Sequence, residues 1–250
     1  MYCHSRWYSW KTRLLNINLL LWISHASIAA HPLPVFLDDT LSLTGGIGYT
    51  TFPNPSDQQL SISPYVTDLL TNSRQHHIAS YSFHAQKQLN IHGNHIHKIM
   101  LGPAFYYQTS HYSGDVWEMT LPEFYNYQYD FKSKNSVFLL ESDIYLKPVA
   151  GKLFPFLTAG AGFSIAHTSY DDHALPDIPA DSEIHWSRSR VKAVYELGAG
   201  LTIPVNTHWA FNLRYAYLNM GKVSTTMTPF QPVSINLNSQ NVFFGINYSV

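Results

Sequence analysis

The sequence predicts an all-β fold: an eight-stranded antiparallel up-and-down transmembrane β-barrel with short periplasmic turns and long extracellular loops. Three observations predict it. Stretches that alternate between large apolar residues and small or polar ones recur to the end of the chain, which is the period-two pattern of strands. Charged residues make up only 12% of the 250 residues, about half the ~25% usual in a water-soluble domain. The connections between alternating stretches are long and short in strict turn, which puts every long one on the same side.

The chain opens with the marks of an export signal. Arg6, Lys11 and Arg13 form a basic start, residues 14–23 are mostly apolar, and Ser27, Ile28 and Ala29 give a small-x-small cleavage pattern. The expected organisation is therefore a cleaved signal peptide over residues 1–29 and a single barrel domain over residues 30–250. Cleavage would remove the one cysteine, Cys3, and three basic residues, leaving twelve Lys+Arg against sixteen Asp+Glu, a net charge of −4. That excludes disulfides, thiolate catalysis and cysteine metal sites from the mature chain. It also leaves no basic stripe for nucleic acid.

The strands follow in order. The first, 41–51, is loosened by Gly45, Gly46 and Gly48. In 78–89, Tyr81, Phe83, Ala85 and Leu89 oppose Ser80, Ser82, His84 and Gln86. In 95–108, Ile99, Leu101, Pro103, Phe105 and Tyr107 face outward, with Lys98, Met100, Gly102 and Tyr106 inward. The stretch 125–146 changes phase: Tyr125, Tyr127, Tyr129 and Phe131 share one face, and Phe138, Leu140, Ile144 and Leu146 share the other. A β-bulge near 133–136 is expected to reconcile the two halves; a hairpin turn there would give nine strands and break the alternation of loop lengths. In 154–167, Leu157, Ala159, Ala161, Phe163 and Ile165 oppose Thr158, Gly160, Gly162 and Ser164. The sixth strand sets Ala193, Tyr195, Leu197, Ala199, Leu201 and Ile203 against Lys192, Glu196, Gly198, Gly200 and Thr202. The seventh sets Trp209, Phe211, Leu213, Tyr215 and Tyr217 against Ala210, Asn212, Arg214 and Ala216; the last sets Val242, Phe244, Ile246, Tyr248 and Val250 against Phe243, Gly245, Asn247 and Ser249.

No apolar run reaches the ~20 residues of a spanning helix, so a membrane would have to be crossed by strands. Hydrocarbon offers no water to free N–H and C=O groups, so the sheet must close and the first strand must pair with the last. A lipocalin-like barrel or a β-sandwich would put the apolar residues inside and more charge outside.

The final strand resembles the C-terminal signature of outer-membrane barrels, with Phe244, Ile246 and Tyr248 at alternate positions and Val250 where a terminal aromatic is usual. The segments 156–163, 195–201 and 209–217 also resemble recurring strands of small barrels. The chain is most similar to the OmpA/OmpW-like superfamily of eight-stranded outer-membrane proteins. The resemblance implies a Gram-negative outer-membrane location with outer-membrane lipid as the surrounding partner. It leaves activity open among adhesins, structural proteins, small conduits and a few lipid-modifying enzymes.

The residues that bear chemistry point to a non-enzymatic reading. Glu141, Asp143, Lys147, Lys192, Glu196 and Arg214 are placed facing the lumen, where opposite charges are expected to pair because an unpaired buried charge is costly. The interior of an eight-stranded barrel is just wide enough for side chains to fill, so a plugged, salt-bridged lumen is expected ahead of an ion path. His92, His95 and His97 cluster at the first short turn, with His76 and His77 at the far end of the preceding strand; imidazoles at such spacing suit Zn²⁺ or Cu²⁺, but no HExxH or supporting carboxylate accompanies them. His111-Tyr112-Ser113, with Glu123, resembles the His-x-Ser pair of lipid A deacylases but falls in a loop. Asp171, Asp172, Asp177, Asp181 and Glu183 make the third long connection acidic without EF-hand spacing. Gly160, Gly162, Gly198 and Gly200 sit in mid-strand, where they relieve crowding, and no helix follows them to make a phosphate loop. The expectation is a monomeric surface barrel without catalytic residue, cofactor or metal, whose four long loops meet ligands, host components or other envelope parts. The alternatives are a small conduit for ions or apolar solutes and a lipid-modifying enzyme.

Overall fold

The computed structural model describes residues 37–63, 65–76, 79–89, 95–149, 152–176, 178, 184–224 and 234–250. The export signal and its cleavage site lie outside these residues.

The strands are β1 (Leu37–Thr51), β2 (Gln58–Ser63), β3 (Val66–His76), β4 (Ala79–Leu89), β5 (Ile96–Trp117), β6 (Tyr125–Leu146), β7 (Phe154–Ala174), β8 (His185–Pro204), β9 (Trp209–Asn219), β10 (Lys222–Ser224), β11 (Ser234–Asn236) and β12 (Ser239–Ser249). Eight of them close a ring in the order β1-β4-β5-β6-β7-β8-β9-β12, every pair antiparallel. The closing pair is β1 with β12, in unbroken register from Ser42↔Ser249 to Thr51↔Gln240. The ring leaves no free edge through this part of the sheet, which is the requirement hydrocarbon imposes.

Through the lower part of the ring the apolar residues point outward. Leu140, Leu157, Leu197, Phe244 and Ile246 are all exposed, Leu140 to 61% and Phe244 to 57%. Aromatic rings run across strands on this face: Phe105 to Phe138 at 5.0 Å, Phe138 to Phe163 at 5.4 Å, and Phe211 to Phe244 at 5.9 Å. Trp209 and Tyr248 pair at the short-turn end, centroids 4.7 Å apart, and Tyr49, Tyr81, Tyr195 and Tyr215 are exposed toward the other end. A contiguous apolar belt of this extent on a water-exposed surface would be a liability. Bounded by Tyr and Trp, it is the face a bilayer covers.

The upper half departs from the expected long loops. β5, β6, β7 and β8 continue as strands past the belt, and the first long connection is itself a hairpin, β2–β3, with β3 pairing to the upper part of β5 from His76↔His111 to Leu69↔Trp117. The expected bulge at 133–136 is absent, and so is the alternative turn: β6 pairs β7 in unbroken register from Tyr127↔Ala174 to Tyr145↔Phe156. The pleat keeps its phase and the surroundings change. Below, Phe138, Leu140 and Ile144 point out and Glu141 and Asp143 point in. Above, Asp130, Lys132 and Lys134 point out, while Tyr127, Tyr129 and Phe131 are buried. Successive side chains face opposite sides of a sheet, so a strand that leaves hydrocarbon for water must exchange its apolar face.

These inward aromatics form a second core with Phe52, Leu60, Leu70, Tyr112, Tyr170, Val223, Ile235 and Leu237. Tyr129 and Tyr170 stack at 5.9 Å. The short β10–β11 hairpin supplies Val223 and Ile235 to it. Burial raises the phenols of Tyr129 and Tyr170 above the ordinary tyrosine range.

Candidate functional site

The lumen of the belt holds one ionic layer, built by alternation on five strands. Arg214 projects inward from β9, Glu141 and Asp143 from β6, Glu196 from β8, Tyr106 from β5, and His84 and Gln86 from β4. Glycines make room for them. Glu141 is flanked in register by Gly102 of β5 and Gly160 of β7, Gly160 also faces Glu196, and Gly200 faces Arg214.

The Arg214 guanidinium donates from Nη1 to Glu141 Oε1 at 2.5 Å and from Nη2 to Asp143 Oδ2 at 2.6 Å. Glu196 Oε1 lies 3.8 Å from Nη1. The Tyr106 hydroxyl sits within 2.8 Å of Glu141 Oε2 and 2.9 Å of Glu196 Oε1, bridging the two carboxyls. Glu141 Oε1 also accepts from Gln86 Nε2 at 3.1 Å and lies 3.1 Å from His84 Nδ1. The side chains of Glu141, Asp143, Glu196 and Arg214 are at most 3% exposed. Charge-assisted bonds from a planar fork are the strong class of hydrogen bond, and here one fork ties β9 to β6 across the barrel.

The layers on either side close the path. Met100, Tyr145 and Phe156 pack below, with Arg214 Cζ 5.1 Å from the centre of the Phe156 ring. Val137, Leu139, Val194 and Phe243 are buried in the core that continues upward. Another polar layer joins Gln108 Nε2 to Asn241 Oδ1 at 2.8 Å, Thr50 Oγ1 to Asn241 Oδ1 at 2.6 Å, and Ser239 Oγ to Gln108 Oε1 at 3.1 Å. These layers pin strands to one another and fill the bore.

Of the six residues expected in the lumen network, the structure brings Glu141, Asp143, Glu196 and Arg214 together. Lys147 is not among them: it lies beyond the end of β6, exposed, its backbone N–H donating to the His95 carbonyl at 3.1 Å. Lys192 has the inward phase and is half-buried, but it sits four residues above Glu196, roughly 13 Å along the strand. Among the described residues no carboxylate is within ion-pair distance of it. Tyr106, His84 and Gln86 were not anticipated as members; their signal was their inward phase beside a run of inward acids.

The other expected groups lie apart. His76 stands opposite His111 on the outer face of the upper sheet, rings 4.6 Å apart, far along the chain fold from His95 and His97 at the short-turn end. His76 Nε2 is 2.9 Å from Ser113 Oγ, and His111 Nε2 is 2.6 Å from Asp130 Oδ1. Ser113 therefore meets His76 in place of His111, and Glu123 lies in an exposed turn. Among the described residues no group of three His, Cys, Asp or Glu is arranged to hold a metal ion. His77, His92, Asp177, Asp181 and Glu183 lie outside the described residues. Asp171 and Asp172 are engaged, Asp171 with the His185 ring and Asp172 with the Ile184 N–H.

A cavity opens at the short-turn mouth of the lumen. Its volume is about 190 Å³, and Lys98, Tyr145, Phe154 and Trp209 are among the residues lining it.

No family model matches the sequence, and no curated protein matches it. The chain is similar in fold to solved outer-membrane β-barrels. The outer-membrane protein OprG from Pseudomonas aeruginosa is 15% identical, with 84% of this chain and 95% of that chain covered and a TM-score of 0.44. The attachment invasion locus protein Ail of Yersinia pestis, solved with the heparin analogue sucrose octasulfate, is 12% identical over 84% of this chain and 98% of that one, with a TM-score of 0.38. The outer-membrane protease OmpT from Escherichia coli is 9% identical over 88% and 99%, with a TM-score of 0.41. These likenesses assign neither family nor role; that the chain is an eight-stranded antiparallel barrel stands on its own strand pairings.

Proposed function

We propose that the protein is a non-enzymatic outer-membrane barrel that anchors a rigid sheet platform outside the cell for recognition of surface ligands or host components. The observation that carries this reading is the reversal of faces along β5–β8. Below it the apolar residues face out and suit lipid; above it the same strands bury an aromatic core and expose His, Lys, Asp and Ser to water. The wall of the anchor is thus continued by a folded, water-facing sheet. Binding residues carried on a rigid scaffold are a common use of such surfaces.

A sealed bore supports recognition over conduction. The Arg214 layer, the aromatic layer beneath it and the Gln108–Asn241 layer above it are each buried. The outward Ser113–His76 pair lies on the outer face of a sheet, apart from the cavity at the mouth, which supports a platform over a hydrolase. The decisive experiment combines fractionation with planar-bilayer recording of the refolded protein. The reading expects outer-membrane recovery, heat-modifiable gel mobility and no steady unitary conductance. Discrete channels would replace it with a conduit, altered acylation of lipid A on expression would replace it with an enzyme, and a soluble periplasmic protein would overturn it altogether.

A further inference from the structure

The cavity at the short-turn mouth has an unusual charge pattern. Every charged or imidazole group lining it is a nitrogen base: Lys98, His97 and His208. No Asp or Glu lines it among the described residues. Lys98 is half-buried, and its ammonium lies 4.9 Å from the centre of the Tyr145 ring. No carboxylate is within ion-pair distance of it among the described residues. Of the acids in the bore, Glu141 is bonded to Arg214; Asp143 bonds Arg214 through Oδ2 alone, its Oδ1 has no hydrogen-bond partner, and its charge reaches Lys98 without a direct bond. With no acid bonded to it directly, the Lys98 ammonium is left able to pair with an anion that enters the mouth.

The walls add shape. Tyr145, Phe154, Thr202 and Asn247 line the cavity. His97 packs against Phe154 with ring centres 5.0 Å apart, and the His208 Nδ1–H donates to the Ser249 carbonyl at 3.1 Å. The volume of about 190 Å³ corresponds to roughly six waters, room for one single-ring molecule. A few polar groups converging in a partly apolar cleft are the usual build of a small-molecule site.

We propose that this mouth binds a small organic anion with a flat apolar body, its carboxylate on Lys98 and its ring against Tyr145 and Phe154. The mouth is periplasmic if the orientation proposed above holds, but binding is read on the refolded protein and does not depend on that orientation. The test is fluorine NMR of para-fluorobenzoate titrated into the refolded barrel, with neutral para-fluorobenzamide and inorganic phosphate as comparisons. The proposal expects saturable broadening of the benzoate, about tenfold weaker for the amide and about tenfold weaker in Lys98→Met. Lys192→Met, which changes a lysine remote from the mouth, leaves binding unchanged. If Lys98→Met fails the heat-modifiability check for folding, Lys98→Gln replaces it. Equal binding of benzoate and benzamide, or undiminished binding in the Lys98 variant, overturns the assignment of the cation. Displacement of benzoate by phosphate at equal concentration overturns the role of the aromatic walls.

Discussion

Replacing Arg214 by Met removes the only guanidinium in the ionic layer and leaves Glu141, Asp143 and Glu196 facing one another in the bore. Arg214 makes direct bonds of 2.5 and 2.6 Å to two of these acids and lies 3.8 Å from the third, and all four side chains are at most 3% exposed. Removing one partner of a buried ion pair costs about 3–5 kcal/mol. With a urea slope of about 2 kcal/mol/M, the unfolding midpoint of the protein refolded in vesicles falls by about 1.5–2.5 M. Tryptophan fluorescence and heat-modifiable mobility both report it. Adding Glu141→Gln, Asp143→Asn and Glu196→Gln to Arg214→Met removes the unpaired charge and restores most of the loss, since neutral replacements of buried ionic groups are often near neutral in stability. An unchanged midpoint in Arg214→Met refutes the clamp. A loss that persists after the acids are neutralised assigns it to lost packing against Phe156, not to charge.

Other outcomes follow from the same geometry. Tyr106→Phe removes the hydroxyl that bridges Glu141 and Glu196 and lowers stability by about 1–3 kcal/mol in the same urea assay. Gly162→Val sharply lowers the folded fraction on gels, because a Cβ there would lie 2.0 Å from the Phe138 carbonyl oxygen and 2.9 Å from Leu139 Cα; Gly45→Ala folds like the parent, as nothing lies within 4 Å of its added carbon. Asp68 is buried in the upper hairpin, where desolvation raises its carboxyl above the ordinary aspartate range, against the hydrogen bond it accepts from the Met119 N–H. The folded state therefore holds the proton more tightly than the unfolded one, and this contribution to stability is lost as pH rises from about 4 through the raised value. Asp68→Asn slows hydrogen exchange of the Met119 amide at pH 7, and the difference shrinks toward pH 4.

Within the belt the fold was legible because one physical rule governs it. Large outward residues such as Phe138, Leu157, Leu197 and Phe244 alternate with small or polar inward ones, and the turn lengths sort the strands into an even ring. Above the belt the same rule acts in a different solvent. Tyr127, Tyr129 and Phe131 were read as keeping the outward role of Phe138 and Leu140, which demanded a bulge; the solvent outside had changed and the pleat had not. The strand extensions of β5 and β7 read as loops in the sequence because outward His111, Ser113, Ser169 and Asp171 are polar, as any water-facing strand residue is.

The lumen site was legible to the extent that inward phase and charge suffice. Glu141, Asp143, Glu196 and Arg214 each follow from alternation alone. Lys147 failed because the phase was carried past the last residue of β6, where the chain turns out to solvent. Lys192 failed because phase fixes a face and says nothing about height, which depends on the stagger of neighbouring strands. Tyr106 and His84 needed that same stagger to be seen as partners. The glycines opposite Glu141, Glu196 and Arg214 were the nearest thing to a signal, because a narrow bore that holds long polar heads requires empty positions beside them.

The reversal of faces along β6 is most directly tested by single cysteines placed at outward positions 132, 134, 138 and 140 in the mature chain, which otherwise lacks cysteine if the signal is removed as expected. In vesicles, a water-soluble maleimide should modify Lys132→Cys and Lys134→Cys quickly and leave Phe138→Cys and Leu140→Cys protected. A fluorophore at the latter two sites should be quenched by brominated lipid. Uniform aqueous labelling along all four positions, or protection that extends through position 132, would contradict a strand that passes from hydrocarbon into water between Phe138 and Lys134.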